Sequence, residues 1–231
     1  MKVIFVGPSL PDARRFVAED VIIRPPATQG DVRLAVDEGA RAIGLIDGAF
    51  EYVAPVWHKE ILYGLSKGVA IFGAASMGAL RAAECHPFGM TGIGEIFKAY
   101  ATETLVDDAD VALLHGPEEL GYVAITIPMV NVDATLARCC ADGLVSDREA
   151  RWLKEIARSL FFKVRTWNTI VRNCPQIGNT RIEELLRILN DNYVDQKKAD
   201  AIALIEALRR SDGRSPPPSF VFNQTSLWGD G

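Results

Sequence analysis

Short runs of apolar residues alternate with amphipathic segments along the first part of the chain. Runs typical of buried strands occupy residues 3–6, 21–23, 42–46 and 69–72. Between these runs, at residues 12–17, 31–39 and 55–65, the apolar positions recur at helical spacing, which predicts helices. Strands that alternate with helices in this way pair in parallel and are joined by right-handed crossovers. The pattern therefore predicts a mainly parallel sheet with flanking helices.

The pattern changes beyond residue 84. A glycine-rich loop at 86–94 precedes a predicted helix at 95–102 and a predicted strand at 122–127. Helical periodicity then dominates, at residues 133–142, 146–162, 164–172, 180–190 and 195–210. We therefore expect an α/β fold in which an N-terminal, mainly parallel sheet with flanking helices is followed by a helical C-terminal part. The expected boundaries are an α/β core at 1–130, helices at 131–212 and a flexible, Pro/Gly/Ser-rich tail at 213–231.

Composition and charge narrow the function classes. The 231 residues are 48% hydrophobic and 24% charged, which is typical of a globular protein with a sizeable core. A net charge of −5 argues against nucleic acid as the main partner. Residues 1–145 carry 11 Lys/Arg and 19 Asp/Glu, a net of −8, whereas residues 146–231 carry 14 and 11, a net of +3. Residues 148–172 hold seven of these cations, which indicates either a surface for an acidic partner or a solvated helix face.

The four cysteines form no C-x-x-C pair, so we expect no zinc site. We also expect no other metal, because the acidic residues at 107–110 more commonly form a solvated turn than a cation site. No apolar run reaches membrane-spanning length, so we expect no membrane association. A strand begins at residue 2, so we expect no export signal. Free thiols and a missing export signal together predict a cytoplasmic protein.

Ser76 lies in the most informative stretch of the chain, GVAIFGAASMGALRAAE at residues 68–84. Small residues separate the strand-forming run from a helix-forming run, which is typical of a sharp strand-to-helix turn. A serine at such a turn faces the backbone N–H groups of the first helical turn, which are able to stabilise an oxyanion. The stretch differs from the G-x-S-x-G elbow because Ala74 replaces the first glycine. Ser76 is either a nucleophile or a helix-capping serine.

Further polar residues are expected near Ser76. The carboxyl ends of parallel strands meet at one edge of a sheet, which brings residues 7–9 and the Asp47–Gly48 pair towards Ser76. His115 follows the apolar run at 111–114. It is either an acid/base group or a structural histidine at a strand end whose hydrogen bonds are satisfied. The acidic residues at 107–110 form either a cation site or, more commonly, a solvated turn.

A nucleophilic Ser76 needs a base. The histidines His58, His86 and His115 are candidates, and so is a lysine whose pKa is lowered by burial. Lys59 is the favoured lysine because it lies on the predicted helix just before the Ser76 strand; the alternatives are Lys67 and Lys98. Lys59 also fits an ordinary surface lysine that pairs with a glutamate.

Several motifs together resemble the TfuA family. They are HKEIL at 58–62, FGAASMGALRAAE at 72–84, FGM at 88–90 and GIGEIF at 92–97, with Asp47–Gly48, the acidic residues at 107–110 and His115–Gly116 extending the match to about residue 133. The resemblance implies a role in peptide backbone thioamidation beside a YcaO enzyme. Within this role, TfuA-like proteins hydrolyse the C-terminal thiocarboxylate of a ThiS-like sulfur carrier and thereby release sulfide.

The resemblance also implies residue roles. Ser76 matches the serine of a hydrolase-like Ser-Lys pair, and Lys59 is the lysine inside the matching HKEIL run. Backbone N–H groups at Met77 and Gly78 would hold the oxyanion. Arg81 and Glu84, which follow Ser76 on the same helix, would orient the pair or grip the tail of the carrier. No cofactor is implied.

Two other classes of function stay open at this point. One is a non-catalytic adaptor that binds YcaO and its peptide substrate or sulfur carrier, with Ser76 only capping a helix. The other is a flavodoxin-like ligand-binding module, although the chain has no complete phosphate-binding loop. The sequence leaves open whether the chain forms an oligomer.

Overall fold

A five-stranded parallel sheet forms the centre of the N-terminal part. The structure is a computed structural model that describes residues 1–49, 51–224 and 228. The strands are β1 (Lys2–Phe5), β2 (Val21–Arg24), β3 (Ala42–Leu45), β4 (Ala70–Gly73) and β5 (Thr91–Gly92), in the spatial order β2-β1-β3-β4-β5. Each neighbouring pair is parallel, with Lys2 paired with Val21 and Ala42, and Ala42 paired with Ala70. The α/β fold with a parallel sheet is therefore confirmed.

The helices follow in two groups. Those between the strands and directly after them are α1 (Asp31–Asp37), α2 (His58–Ser66), α3 (Met77–Cys85) and α4 (Gly94–Ala101). Those of the C-terminal part are α5 (Met129–Ala141), α6 (Asp147–Ser159), α7 (Trp167–Arg172), α8 (Asn179–Asp191) and α9 (Gln196–Arg210). None of the described helices combines the length and the apolar character that a membrane span requires.

The alternation of side chains along the strands gives the sheet two buried faces. Val3, Phe5 and Ile43 belong to one core with side chains of α1, α2 and α3. Ile4 and Ala42 belong to the opposite face, which α9 covers with buried residues that include Leu204 and Leu208. The last helix therefore returns to the sheet. A separate core is formed by side chains of α5, α6, α7 and α8. The C-terminal helices therefore contribute to two cores, α9 to the core on the sheet and the other four to their own.

Two of the predicted elements are wrong. Residues 12–17 form only one 3₁₀ turn, Ala13–Arg15, instead of a helix. Residues 122–127 form no strand, and only an isolated antiparallel bridge joins His115 to Ala124. The reason is local: Gly121 and Tyr122 have left-handed backbone conformations, and Val123 and Ile125 are exposed, so no sheet face covers this run. Conversely, the expected loop at 86–94 contains the short strand β5.

The described part of the tail contacts α2. Ser215 N–H donates to the Gly68 carbonyl, and the rings of Phe222 and Trp228 lie 5.5 and 5.1 Å from the ring of Tyr63. The flexibility expected for residues 213–231 stays a prediction, and its part at 225–227 and 229–231 lies outside the described residues. The expected division into parts at residues 130 and 212 also stays a prediction.

Candidate active site

Ser76 lies at a strained turn between β4 and α3. Ala75, directly before it, has a φ of 68°, in the left-handed region that L-residues other than glycine avoid. Ser76 itself has φ −126° and ψ −126°, and its N–H donates to the Ala74 carbonyl at 2.8 Å. Such strain costs about 1–3 kcal/mol and persists mainly at functional sites, where the surrounding structure enforces it. The turn therefore marks Ser76 as a candidate functional residue.

The Ser76 hydroxyl does not cap α3. Ser76 occupies the N-cap position, and its carbonyl accepts from Ala79 N–H at 2.9 Å. Its side chain, however, accepts no capping hydrogen bond from the described backbone. The interpretation of Ser76 as a capping serine is therefore wrong, and its hydroxyl is left for another role.

Gly78 brings the start of α3 against the end of β3. A Cβ at Gly78 would overlap the Leu45 carbonyl oxygen, so only glycine permits this approach. The same approach lets Gly78 N–H donate to the Ile46 carbonyl at 3.1 Å. Gly78 N–H is therefore already bonded, which corrects its expected role as an oxyanion donor. Met77 N–H, at the first helical position, has no intrahelical acceptor.

A cavity of about 420 Å³ opens in front of Ser76. Its lining joins residues expected at the strand ends with residues that the sequence analysis did not single out. The expected members are Pro8, Asp47, Gly48, Ser76 and His115, and the additional ones include Glu51, Tyr52, Val111, Tyr122, Phe162, Lys163 and Lys197. The structure thus brings Asp47 and His115 together with Ser76.

Lys197 is the fully buried cation of this cavity. It lies in the first turn of α9, is 3% exposed, and its Nζ donates to the Val111 carbonyl at 2.7 Å. Burial lowers the pKa of Lys197, although the nearby carboxylates of Asp47 and Asp195 oppose this shift. The desolvated amine is thereby shifted towards its neutral form, in which it is able to accept a proton.

Asp47 shapes the cavity through the loop after β1. Its buried carboxylate accepts hydrogen bonds from Gly7 N–H at 2.9 Å, Ser9 N–H at 3.0 Å and the Ser9 hydroxyl at 2.6 Å. Three donors on one carboxylate satisfy the charge without a cation directly on it. Asp47 therefore holds the β1 loop against the end of β3 and adds a negative potential near Lys197.

The mouth of the cavity carries an ion pair. Lys163 lies 2.9 Å from a Glu51 carboxylate oxygen, and its Nζ donates to the Tyr52 hydroxyl at 3.3 Å. The hydrogen bond from Ile127 N–H to the Arg165 carbonyl ties the segment around Lys163 to the loop that precedes α5. Segments from the sheet and from the helical part therefore meet at this opening.

Lys59 lies at another surface. Its Nζ is 5.8 Å from the ring centre of Phe222 and 5.7 Å from that of Trp228, and it lines a second cavity with His58 and residues of the tail. Lys59 lines neither of the cavities that Ser76 lines.

His58, Arg81 and Glu84 form a network beside α2. Glu84 accepts hydrogen bonds from His58 Nε2 and Arg81, each at 2.7 Å, and Arg81 Nε donates to the Val56 carbonyl at 3.0 Å. Burial alone would raise the pKa of Glu84, but these hydrogen bonds outweigh burial and lower it. The three residues tie α3 to α2 and its preceding loop, and none of them lines the Ser76 cavity.

The remaining candidates also lie outside this cavity. Lys98 forms an exposed ion pair with Glu95, and Lys67 stacks over Tyr63. His86 Nδ1 donates to the Met90 carbonyl at 3.1 Å. Within the acidic segment, Asp107 caps a 3₁₀ turn, and Asp110 is buried. The described residues contain no group of three or more His, Cys, Asp or Glu able to hold a metal ion.

Sequence reasoning missed Lys197, although a signal was present. Lys197 precedes Ala201, Leu204 and Leu208 at helical spacing, and these three are among the side chains that α9 buries on the sheet. A lysine on the apolar stripe of an amphipathic helix is unusual, because lysine is rarely fully buried. This pattern identifies the position without the structure.

The fold and the cavity define an α/β protein whose candidate site lies at the carboxyl ends of parallel strands and is completed by a returning C-terminal helix. A family model described as TfuA-like protein matches residues 47–166, which is more than half of the chain. The chain therefore belongs to the TfuA-like family. The match includes Asp47, Ser76 and His115, whereas Lys197 lies beyond it. No curated protein matches the chain.

Proposed function

We propose that this TfuA-like protein hydrolyses the C-terminal thiocarboxylate of a small ThiS-like sulfur-carrier protein and supplies the sulfide to a YcaO enzyme for peptide backbone thioamidation. One observation carries the proposal. Ser76, whose hydroxyl makes no capping bond to the described helix, lines the same cavity as Lys197, an amine that burial shifts towards its neutral form. A serine and a desolvated lysine are a known solution for nucleophilic catalysis.

In the first half-reaction, Ser76 Oγ attacks the thiocarboxylate carbon, and its proton passes to Lys197 Nζ. The C–S bond then breaks, the sulfur leaves with the proton from Lys197 as hydrosulfide, and the carrier stays bound to Ser76 as an ester. Met77 N–H is the backbone donor for the oxyanion, a contribution of about 3 kcal/mol where such a donor is well placed. In the second half-reaction, water cleaves the ester and restores Ser76.

Lys197 replaces Lys59 as the proposed base. The Val111 carbonyl fixes the Lys197 amine at 2.7 Å, and burial lowers the pKa of that amine. Lys59 lines a different cavity, where its Nζ lies 5.8 and 5.7 Å from the ring centres of Phe222 and Trp228. The proposed steps use only side chains, backbone and water, so no cofactor takes part.

The surface around the mouth supports a protein as the substrate. The described chain exposes fifteen large hydrophobic side chains, and seven of them lie on the three segments that border the cavity: Tyr52, Val53, Leu120, Val123, Ile125, Phe161 and Val164. Concentrated apolar surface is typical of a protein contact. A carrier that docks on this rim directs its C-terminal tail towards Ser76.

Sulfide release from a thiocarboxylated ThiS-like carrier tests the proposal. We expect the wild-type protein to release sulfide, and Ser76→Ala and Lys197→Met to lose at least 10²-fold in rate. Lys59→Met is the matched lysine control and is expected to keep the wild-type rate. If Ser76→Ala still supports thioamidation when free sulfide is withheld, the protein acts instead as a non-catalytic adaptor for YcaO, its peptide or the carrier.

A further inference from the structure

His115 occupies a loop that folds back on itself at the cavity. Gly116 N–H donates to the Val123 carbonyl at 2.9 Å, and Ile125 N–H donates to the Leu114 carbonyl at 2.8 Å. The base of the loop is closed by Leu114 N–H, which donates to the buried Thr126 hydroxyl at 2.7 Å. These bonds hold the loop so that His115 and the ring at position 122 both line the Ser76 cavity.

One hydrogen bond fixes the tautomer of His115. Its Nδ1 lies 2.7 Å from the Gly116 carbonyl oxygen. Since a carbonyl only accepts, Nδ1 carries the proton, and in the neutral ring Nε2 presents its lone pair. Nε2 itself has no hydrogen-bond partner among the residues that the structure describes.

Tyr122 holds the imidazole ring. The two rings make an edge contact with their centres 5.7 Å apart, and Tyr122 keeps this place although its φ is 52°. Burial, together with the nearby Glu118 carboxylate, raises the pKa of Tyr122 to about 12, so the phenol stays neutral. An uncharged ring, held on a strained backbone beside a histidine of fixed tautomer, indicates that the surrounding structure enforces the position of His115.

Exposure separates His115 from Lys197. Lys197 lies at the buried side of the cavity and is 3% exposed, whereas His115 is half-buried. Water that enters from solvent therefore reaches His115 before it reaches Lys197. The cavity thus holds two proton acceptors, one suited to Ser76 and the other to incoming water.

We propose that His115 Nε2 is the general base of the second half-reaction, an assignment that rests on the proposed hydrolysis. Water gives a proton to Nε2 while its oxygen forms a bond to the ester carbon. The tetrahedral intermediate then breaks its C–Oγ bond, and the proton on His115 returns to Ser76 Oγ. The products are the carrier carboxylic acid and free Ser76, with no oxidant or reductant involved.

His115→Asn is the decisive variant, because the Asn amide retains a donor for the Gly116 carbonyl and removes Nε2. Rapid-quench assays with thiocarboxylated ThiS-like carrier are expected to show a burst of about one sulfide per chain. Turnover after the burst is expected to fall by about 10²–10⁴-fold, the usual range for loss of a general base. Intact-mass spectrometry is expected to show the carrier accumulating as an ester on the chain.

Each other outcome has a definite meaning. Wild-type turnover in a folded His115→Asn protein overturns the role of His115 while leaving the hydrolysis intact, and so does loss of the burst. Absence of sulfide release from the wild type overturns the hydrolysis and the assignment together. If His115→Asn fails to fold, nitrogen NMR of the wild-type histidines decides: a proton on Nδ1 is expected, and a proton on Nε2 alone contradicts the assignment.

Discussion

Lys197 is a lysine at a position where a helix ordinarily buries an aliphatic side chain. Its pKa in the folded chain is lowered by burial, whereas the unfolded chain keeps the ordinary value of about 10.4. Between these two values the unfolded state binds more protons than the folded state. Below the lowered pKa, burial of Lys197 therefore reduces the free energy of unfolding by its full amount. As pH rises from that pKa towards the unfolded value, this destabilisation disappears and the protein becomes more stable.

Lys197→Met is accordingly expected to stabilise the protein while abolishing sulfide release. The gain in the free energy of unfolding near neutral pH is about 1–2 kcal/mol, which is typical when a functional site is relieved of an unfavourable group. Urea unfolding at several pH values measures it, and the rise of stability with alkaline pH is expected to be smaller in the variant. A less stable Lys197→Met protein would contradict the account.

Gly78 is the residue on which the Ser76 turn depends sterically. Gly78→Ala places a methyl group on the Leu45 carbonyl oxygen, so α3 has to move away from β3. We expect a loss of about 2–4 kcal/mol in thermal or urea unfolding, in the range of disruptive single substitutions. Gly178→Ala is the matched control, because nothing lies within 4 Å of a Cβ there and a change of under about 0.5 kcal/mol is expected. Equal effects of both variants would count against the close approach.

At the scale of elements, α9 completes the candidate site from the far end of the chain. Leu204 is fully buried, and its Cδ2 lies 2.6 Å from the place that a Cβ at Gly44 would take, so the helix packs directly on β3. The position of Lys197 in the cavity depends on this packing, since both residues belong to α9.

Leu204→Ala is expected to lower the free energy of unfolding by about 2–5 kcal/mol, because it leaves a cavity between helix and sheet. Sulfide release is expected to fall as well, since the helix that carries Lys197 loses its anchor. Denaturant unfolding and the sulfide assay on the same samples measure both effects. Leu34→Ala, at a position 51% exposed on α1, serves as control, and a comparable loss there would contradict the role of α9.

The elements also show what the sequence is able to predict. The runs at 3–6, 42–46 and 69–72 predict strands correctly because the sheet is buried on both faces and its strands are almost wholly apolar. The strand prediction at 122–127 is wrong because the apolar side chains of this run belong to an exposed loop. The lysine that lines the Ser76 cavity was not predicted, for a different reason. Proximity along the chain favoured Lys59, whereas the fold brings Lys197 into this cavity from 121 positions beyond Ser76 (197 − 76 = 121).

At the scale of the whole molecule, four cations of the basic segment at residues 148–172 form ion pairs with carboxylates of the same chain. Lys154 and Arg158 of the basic segment contact Asp133, Lys163 contacts Glu51, and Arg172 contacts Glu183. Exposed pairs of this kind contribute little to stability. The apolar rim around the cavity is therefore the stronger indication of a partner surface than the basic helices.

Leu120→Asp tests this rim, since Leu120 is 67% exposed beside the cavity. We expect KM for the thiocarboxylated carrier to rise about 10-fold, because a charge at an apolar contact costs about 1.4 kcal/mol or more. Hydrolysis of a small thioacid is expected to stay unchanged. Leu34→Asp supplies an exposed apolar position away from the mouth, and an equal rise in KM there would argue against docking on the rim.

Covalent labelling of Ser76 addresses the central claim most directly. The chain is treated with a fluorophosphonate, a reagent for activated serines, and the modified residue is located by peptide mass spectrometry. The account predicts a single adduct on Ser76 in the wild type, at least 10²-fold slower labelling in Lys197→Met and an unchanged rate in Lys59→Met. An unlabelled Ser76, or equal rates in the wild type and Lys197→Met, would contradict activation of Ser76 by Lys197.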